Sequence, residues 1–224
     1  MPKRRPSNTK PRCVVVIADV IASRERSPAE RRRLQQRLQE QIALLNDNHH
    51  DALLSKFAIT LGDEFQAVLK TPASIPQIFR DSFFWLNEVR LRWGVGCGTL
   101  ATDVEEYAIG MDGPAFHQAR QALEHAKDEN RLGGVFTGFG PPDDDIFNGF
   151  ARLIWDRYAG LKPKQLETVM LMHALPTQSA IAAQRGVTES AVSDALKSAG
   201  WDALQEAERG WEAALGRFDF ASQW

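Results

Sequence analysis

Apolar residues recur along this chain with two periods, and the switches between them mark out its elements. Cys13 to Ala18 is a near-continuous apolar run ending at Asp19, as expected of a strand buried on both faces. Ser27-Pro28-Ala29-Glu30 then reads as a helix start, with Ser27 as N-cap, Pro28 in the first position and Glu30 completing a capping box. Leu34, Leu38, Ile42 and Leu45 follow at helical spacing, and the polar stretch Asn46 to Asp51 ends that helix. His49 and His50 have no cysteine or carboxylate at metal spacing and read as a solvated helix end.

The period then changes to two. Phe57, Ile59 and Leu61 alternate with polar or small residues, and Phe65-Gln66-Ala67-Val68-Leu69 keeps the alternation. Two such runs joined at Gly62-Asp63 or Asp63-Glu64 predict a hairpin with a tight turn. Pro72 and Pro76 open a second helix that buries Ile78, Phe79, Phe83 and Leu86, with Trp85 read as packing. Val89 to Leu100 is a fourth strand in which Gly94, Gly96 and Gly98 leave one face bare. Three glycines on one face suggest close approach of a ligand or another chain, with tight helix packing as the weaker explanation. A polar loop from Thr102 to Gly113 leads to a helix from Pro114 with Ala115, Ala119, Ala122 and Leu123 on one face. Gly134 to Gly138 is a short fifth strand. Asp143 to Asp145 read as the cap of the next helix, since they lack the spacing of a calcium loop.

From Phe150 onward the pattern is helical. Lys162 to His173, Thr177 to Arg185 and Val187 to Lys197 are three helices, with Gly186 at a turn and Thr188 as a cap. Ile181, Ala182, Val187, Val192 and Leu196 supply the small core that a helix-turn-helix needs. The pattern therefore divides the chain into a basic tail over 1–12, expected to be disordered, a sheet-bearing domain over 13–145 and a helical domain over 146–224. Trp201, Trp211 and Trp224 are available to pack on the first domain or on a second subunit.

Composition narrows the setting. The chain has 224 residues, 43% hydrophobic and 25% charged, with a net charge of −2, which is ordinary for a globular protein without a global pull towards nucleic acid or membrane. No apolar run approaches the roughly 20 residues that span a bilayer, and none reads as a signal peptide. Cys13 and Cys97 fit neither a disulfide framework nor a zinc site, so a cytoplasmic setting without membrane contact is expected.

The candidate chemistry lies in the carboxylates. A charge ending a buried strand is costly unless paired, bonded or metal-bound. Asp19 and Asp63, brought side by side at two strand ends, would ligate Mg²⁺ or Mn²⁺, whereas the structural alternative has Asp19 capping a helix or pairing with Arg24. Glu64 is a further ligand or general-base candidate, and backbone amides over Ile21, Ala22 and Ser23 are candidate phosphate donors.

Three stretches carry a resemblance. Ala18-Asp19-Val20, Leu61-Gly62-Asp63-Glu64-Phe65 and Gly94-Val95-Gly96-Cys97-Gly98 follow the order seen in class III nucleotide cyclases and GGDEF-type diguanylate cyclases. Closer still, Ala18 to Arg24, Thr60 to Gln66, Ile109 to Ala115 and Ala119-Arg120 resemble the SatD family, over roughly Arg12 to Lys127. The resemblance implies an α+β fold, with a ferredoxin-like, palm/cyclase-type βαββαβ domain before an all-α helix-turn-helix domain. With the residue reading above, the candidate nucleotide contacts are Ile21, Ala22, Ser23, Arg24, Gly62 and His117 and the candidate catalytic residues Asp63, Glu64 and Arg120, and the resemblance implies a homodimer. The cyclase pattern has departures here. His117 stands nearest to the place of its ribose-binding Asn, Arg120 follows three residues on rather than four, and Ile59 replaces its adenine-reading Lys.

The helical part resembles the helix-turn-helix of bacterial regulators. Its outward residues Gln178, Glu189, Ser190, Ser193, Asp194 and Lys197 would face DNA. From Gly160 on, however, six Lys and Arg residues meet eight Asp and Glu residues, little with which to neutralise phosphates. Three functions follow as expectations. One is a regulator coupling a nucleotide-binding palm to DNA, the next a nucleotidyl cyclase or nucleotidyltransferase, and the last a structural palm with a tri-helical interaction module.

Overall fold

A computed structural model describes residues 10–21, 27–85 and 90–224 of the chain. Its elements run β1 (Arg12–Val20), α1 (Pro28–Asn48), β2 (Leu53–Leu61), β3 (Glu64–Leu69), α2 (Ile75–Trp85), β4 (Leu91–Thr99), α3 (Pro114–Asp128) and β5 (Val135–Thr137). The helices α4 (Asp143–Gly160), α5 (Pro163–Ala174), α6 (Gln178–Arg185), α7 (Glu189–Ala199) and α8 (Trp201–Leu215) complete it. The fold is α+β, with one mixed sheet in the order β2-β3-β1-β4-β5. The first four strands pair antiparallel, and β5 joins β4 in parallel.

β1 is apolar from Cys13 to Ala18 because both its faces are covered. Val14, Val16, Ala18 and Val20 point towards α1 and α2, while Cys13, Val15 and Ile17 point towards α3. The capping box at Ser27 and Glu30 forms, and Leu34, Leu38, Ile42 and Leu45 are buried against the sheet. Leu86 and the side chain of Trp85 fall outside the described residues. Arg12, assigned to the tail by its charge, instead opens β1 and sends Nη2 to Gly138 O (2.9 Å) and Cys97 Sγ (3.0 Å).

The glycines of β4 face α3 rather than a ligand. A Cβ on Gly96 would lie 2.2 Å from Ala119 N and 2.3 Å from Ala115 O, and one on Gly94 would lie 2.1 Å from Ala119 O. The close approach expected at these positions is real, but the approaching backbone is that of α3. Packing, the weaker sequence explanation, is the correct one.

Each outer strand carries an asparagine side chain on its backbone, and β2 is also bridged at Lys56 by the backbone around Tyr107. Asn46 of α1 accepts from Phe57 N (2.7 Å) and donates to Phe57 O (3.1 Å) on β2. Asn148 of α4 does the same for Phe136 of β5, at 2.8 and 2.9 Å. Each amide thus takes the place of a neighbouring strand at one residue.

The helical part grows out of the same apolar cluster as the sheet. Trp211 of α8 lies with its ring 6.4 Å from Phe79 and 5.7 Å from Phe136, so it packs on the sheet-bearing part. Trp201 instead meets His173 edge-on, and Trp224 donates to Arg12 O. Thr177 and Thr188 cap α6 and α7, and Gly186 and Gly200 take left-handed conformations at the helix ends. Ile181, Ala182, Val192 and Leu196 are buried as expected. Val187 is not a core residue: its N–H closes the turn on Ala182 O, and its side chain is 41% exposed.

Candidate functional site

The hairpin turn is the first part of the site. β2 and β3 meet at Gly62-Asp63, where Gly62 has φ +63° and open space around it. β3 lies beside β1 with Ala18 opposite Phe65, so Asp19 stands one step past the last registered pair, next to the Glu64 end of β3. On the other side Asp19 pairs in register with Arg92 of β4. Side-chain alternation puts Asp19, Glu64, Gln66 and Arg92 on the face that α3 covers. Arg120 and Lys127 reach this face from α3, two turns apart on one side of the helix.

The charges there are mutually dependent. Burial pushes the Asp19 carboxyl above its usual range; Lys127, 3.8 Å away, opposes this, while Asp63 and Glu64 reinforce it. Burial would also raise Glu64, but Arg120 outweighs it and holds the carboxyl below its ordinary value, helped by Thr60. Arg120 grips Glu64 with both terminal nitrogens, Nη1 to Oε2 and Nη2 to Oε1 at 2.7 Å, and Thr60 Oγ1 lies 3.2 Å from Oε1. Glu64 shares the face of the sheet on which Asp19 stands. It is committed to a guanidinium.

An open cleft of about 330 Å³ lies over this pair. Ile17, Met111 and Phe116 form its apolar wall, and Thr60, Glu64, Gln66, Asp112, His117 and Arg120 its polar one. The loop from Thr102 to Gly113 closes one side, held by Gln66 Nε2 on Ala108 O (2.5 Å) and by Lys56 N on Glu106 O (2.8 Å). His117 pairs with Asp112 at 3.1 Å and is well exposed. A larger groove of about 790 Å³ lies between α1 and β2, away from the carboxylates. Its cation, Lys56, is already engaged by Glu106 (2.7 Å) and stands over the Tyr107 ring. We place the candidate site in the smaller cleft because charged groups from three elements converge there.

The remaining sequence candidates fall as follows. Ala22, Ser23 and Arg24 lie outside the described residues, and the Ile21 N–H donates to Arg90 O (2.9 Å). Among the described residues no group of three or more His, Cys, Asp or Glu side chains could hold a metal ion. Asp143, Asp144 and Asp145 lie in the first turn of α4 as expected, without a side-chain cap bond: Asp144 accepts from Phe139 N and Gly140 N, and Asp143 pairs with Arg217. His49 is not solvated: it is 6% exposed and bonds Asp81 at 3.1 Å. Cys13 and Cys97 are buried thiols pushed up by burial to about 12 and about 11. Gln178, Glu189, Ser190, Asp194 and Lys197 are exposed on α6 and α7, and Ser193 is half-buried.

Sequence reasoning missed Thr60, Gln66, Arg92, Met111, Asp112 and Lys127. Lys127 had a usable signal, since it follows Arg120 by seven residues on a helix whose apolar face was already assigned. Gln66 stood inside a stretch resembling the SatD family but was given no role, and Arg92 carried no signal, because its place depends on which strands become neighbours.

No curated protein matches the chain. A family model does, and it extends past the hairpin and α3 into α8: with residues 13–205 matched, the chain belongs to the SatD family.

Proposed function

We propose that the protein is a regulator in which a nucleotide, with Mg²⁺ or Mn²⁺, binds the cleft of a palm-like domain coupled to a DNA-binding helix-turn-helix. The observation that carries this reading is the convergence of Asp19, Glu64, Arg92, Arg120 and Lys127 at one sheet end, beside the open cleft. Three anchored cations suit phosphates, and the β-α-β-β-α-β order with strands 2-3-1-4 antiparallel supports a palm or cyclase-type ancestry. Asp19 and Asp63 fit Mg²⁺, which takes one or two protein carboxylates and fills its shell with water and phosphate oxygens. The mutual repulsion between Asp19 and its acidic neighbours is a feature that a divalent ion would relieve. When bound, the ion would neutralise phosphate charge. Thr188, Gly186 and the buried face of α6 and α7 support the helix-turn-helix. A homodimer would double the few cations this unit offers to DNA.

The test is calorimetric titration of each nucleoside triphosphate with Mg²⁺ or Mn²⁺ into the full chain, with Asp19→Asn and Asp63→Asn alongside. A DNA footprint that changes with the bound nucleotide would support the coupling. Absence of nucleotide binding, or of DNA retention at low salt, would sink the corresponding half. The second reading is turnover by a nucleotidyl cyclase or nucleotidyltransferase, favoured by the place of Arg120 in the cleft. A product lost on Asp63→Asn substitution would establish it. Intact triphosphates after incubation would leave sensing.

A further inference from the structure

We infer that Glu64 is a positioning residue, neither metal ligand nor general base, and that it holds Arg120 as the receptor for a phosphate oxyanion in the cleft. This rests on the reading of the cleft as a phosphate site. The two partners are unequally buried: the Glu64 side chain is 10% exposed and the Arg120 side chain 45%. The buried member is therefore the holder and the exposed member is the one presented.

The donor inventory points the same way. A guanidinium has five N–H groups in a planar fork. Glu64 takes one from each terminal nitrogen, which leaves Nε–H and the outer N–H groups for a second oxyanion. Both Glu64 oxygens are occupied by Arg120, and Thr60 adds a further bond to Oε1, so little of the carboxylate is left for a metal or a substrate proton. Among the described residues, Arg120 is the guanidinium that lines this cleft, and His117 and Asp112 there are 3.1 Å from each other. The helix carrying Arg120 cannot drift, because Ala115 and Ala119 sit directly on the Gly96 and Gly98 backbone. A fork fixed at both ends loses little entropy when it receives a ligand.

Pyrophosphate is the probe that isolates this contact from base and ribose recognition. Its affinity, and that of each triphosphate, would be measured for wild type, Arg120→Ala, Arg120→Lys, Glu64→Ala and Glu64→Gln, with Mn²⁺ affinity followed separately by electron paramagnetic resonance. Arg120→Ala and Glu64→Ala should each weaken pyrophosphate at least tenfold. Arg120→Lys should also weaken it, because an ammonium keeps the charge without the fork. Glu64→Gln keeps one acceptor oxygen and should lose less than Glu64→Ala, with Mn²⁺ affinity unchanged. A Glu64→Gln protein that loses Mn²⁺ as fully as Asp19→Asn would make Glu64 a ligand and overturn the inference. So would an Arg120→Ala protein that is folded by circular dichroism and binds pyrophosphate like wild type. If wild type binds pyrophosphate but no nucleotide, the nucleotide reading fails and these variants still decide the role of Glu64. If it binds neither, both readings fall.

Discussion

Placing one methyl group on Gly96 tests the packing of α3 on the sheet. The added Cβ would sit 2.2 Å from Ala119 N, 2.3 Å from Ala115 O and 2.8 Å from Ala119 Cα. All three are backbone atoms of one helix, so no side chain can rotate aside, and ordinary contact would require α3 to retreat by about 1 Å. Overpacking of this kind costs about 1–3 kcal/mol and occasionally more; with rigid backbone on both sides, Gly96→Ala should fall near 3 kcal/mol. At a urea slope of about 2 kcal/mol per molar, that lowers the unfolding midpoint by about 1.5 M. Gly98→Ala should cost less, since its nearest contact is 2.8 Å. Gly62→Ala meets open space and pays only for its left-handed φ of +63°, about 1 kcal/mol. Urea denaturation followed by tryptophan fluorescence would rank the three. Gly96→Ala unfolding at the wild-type midpoint would refute the packing account and return the glycine stripe to a ligand.

Other consequences are independent of the cleft. His173 bonds Tyr158 (2.9 Å), and burial, aided by Arg80, depresses its pKa from 6.5 to about 3. The unfolded chain then binds the extra proton between those values, so this group takes up to about 1.4 kcal/mol of stability per pH unit as pH falls from 6.5 towards 3. Glu208, bonded to Tyr158 at 2.6 Å, 3.5 Å from His173 and raised by burial, acts in the opposite direction above 4.5, so the His173→Gln difference in thermal unfolding against pH is read below 4.5, where the histidine dominates. An unchanged slope in that variant would sink the assignment. Thr188→Ala removes the cap on Ala191 N and should cost about 1 kcal/mol, or a few degrees in Tm, by calorimetry. Asn148→Ala leaves the Phe136 N–H and C=O without their partner, and its amide should exchange hydrogen faster than wild type by mass spectrometry; equal protection would show that the edge needs no seal.

Much of this architecture was legible before any coordinates. The capping box at Ser27, the hairpin at Gly62-Asp63, the apolar face of α3 and the cap at Thr188 all depend on residues within a few positions of one another. Local propensity and period are properties of a short segment, so the sequence carries them directly. What it could not carry was the identity of neighbours across the sheet. The glycine stripe reads identically whether a ligand or a helix covers it, and only the placement of Ala115 and Ala119 decided between them. His49 looked solvated because its partner, Asp81, lies on another helix. The pairing of Glu64 with Arg120 was hidden because 56 residues separate them along the chain. Ion pairs and close contacts between distant segments arise when the chain buries its apolar faces, and their partners are chosen by that burial, not by spacing along the chain.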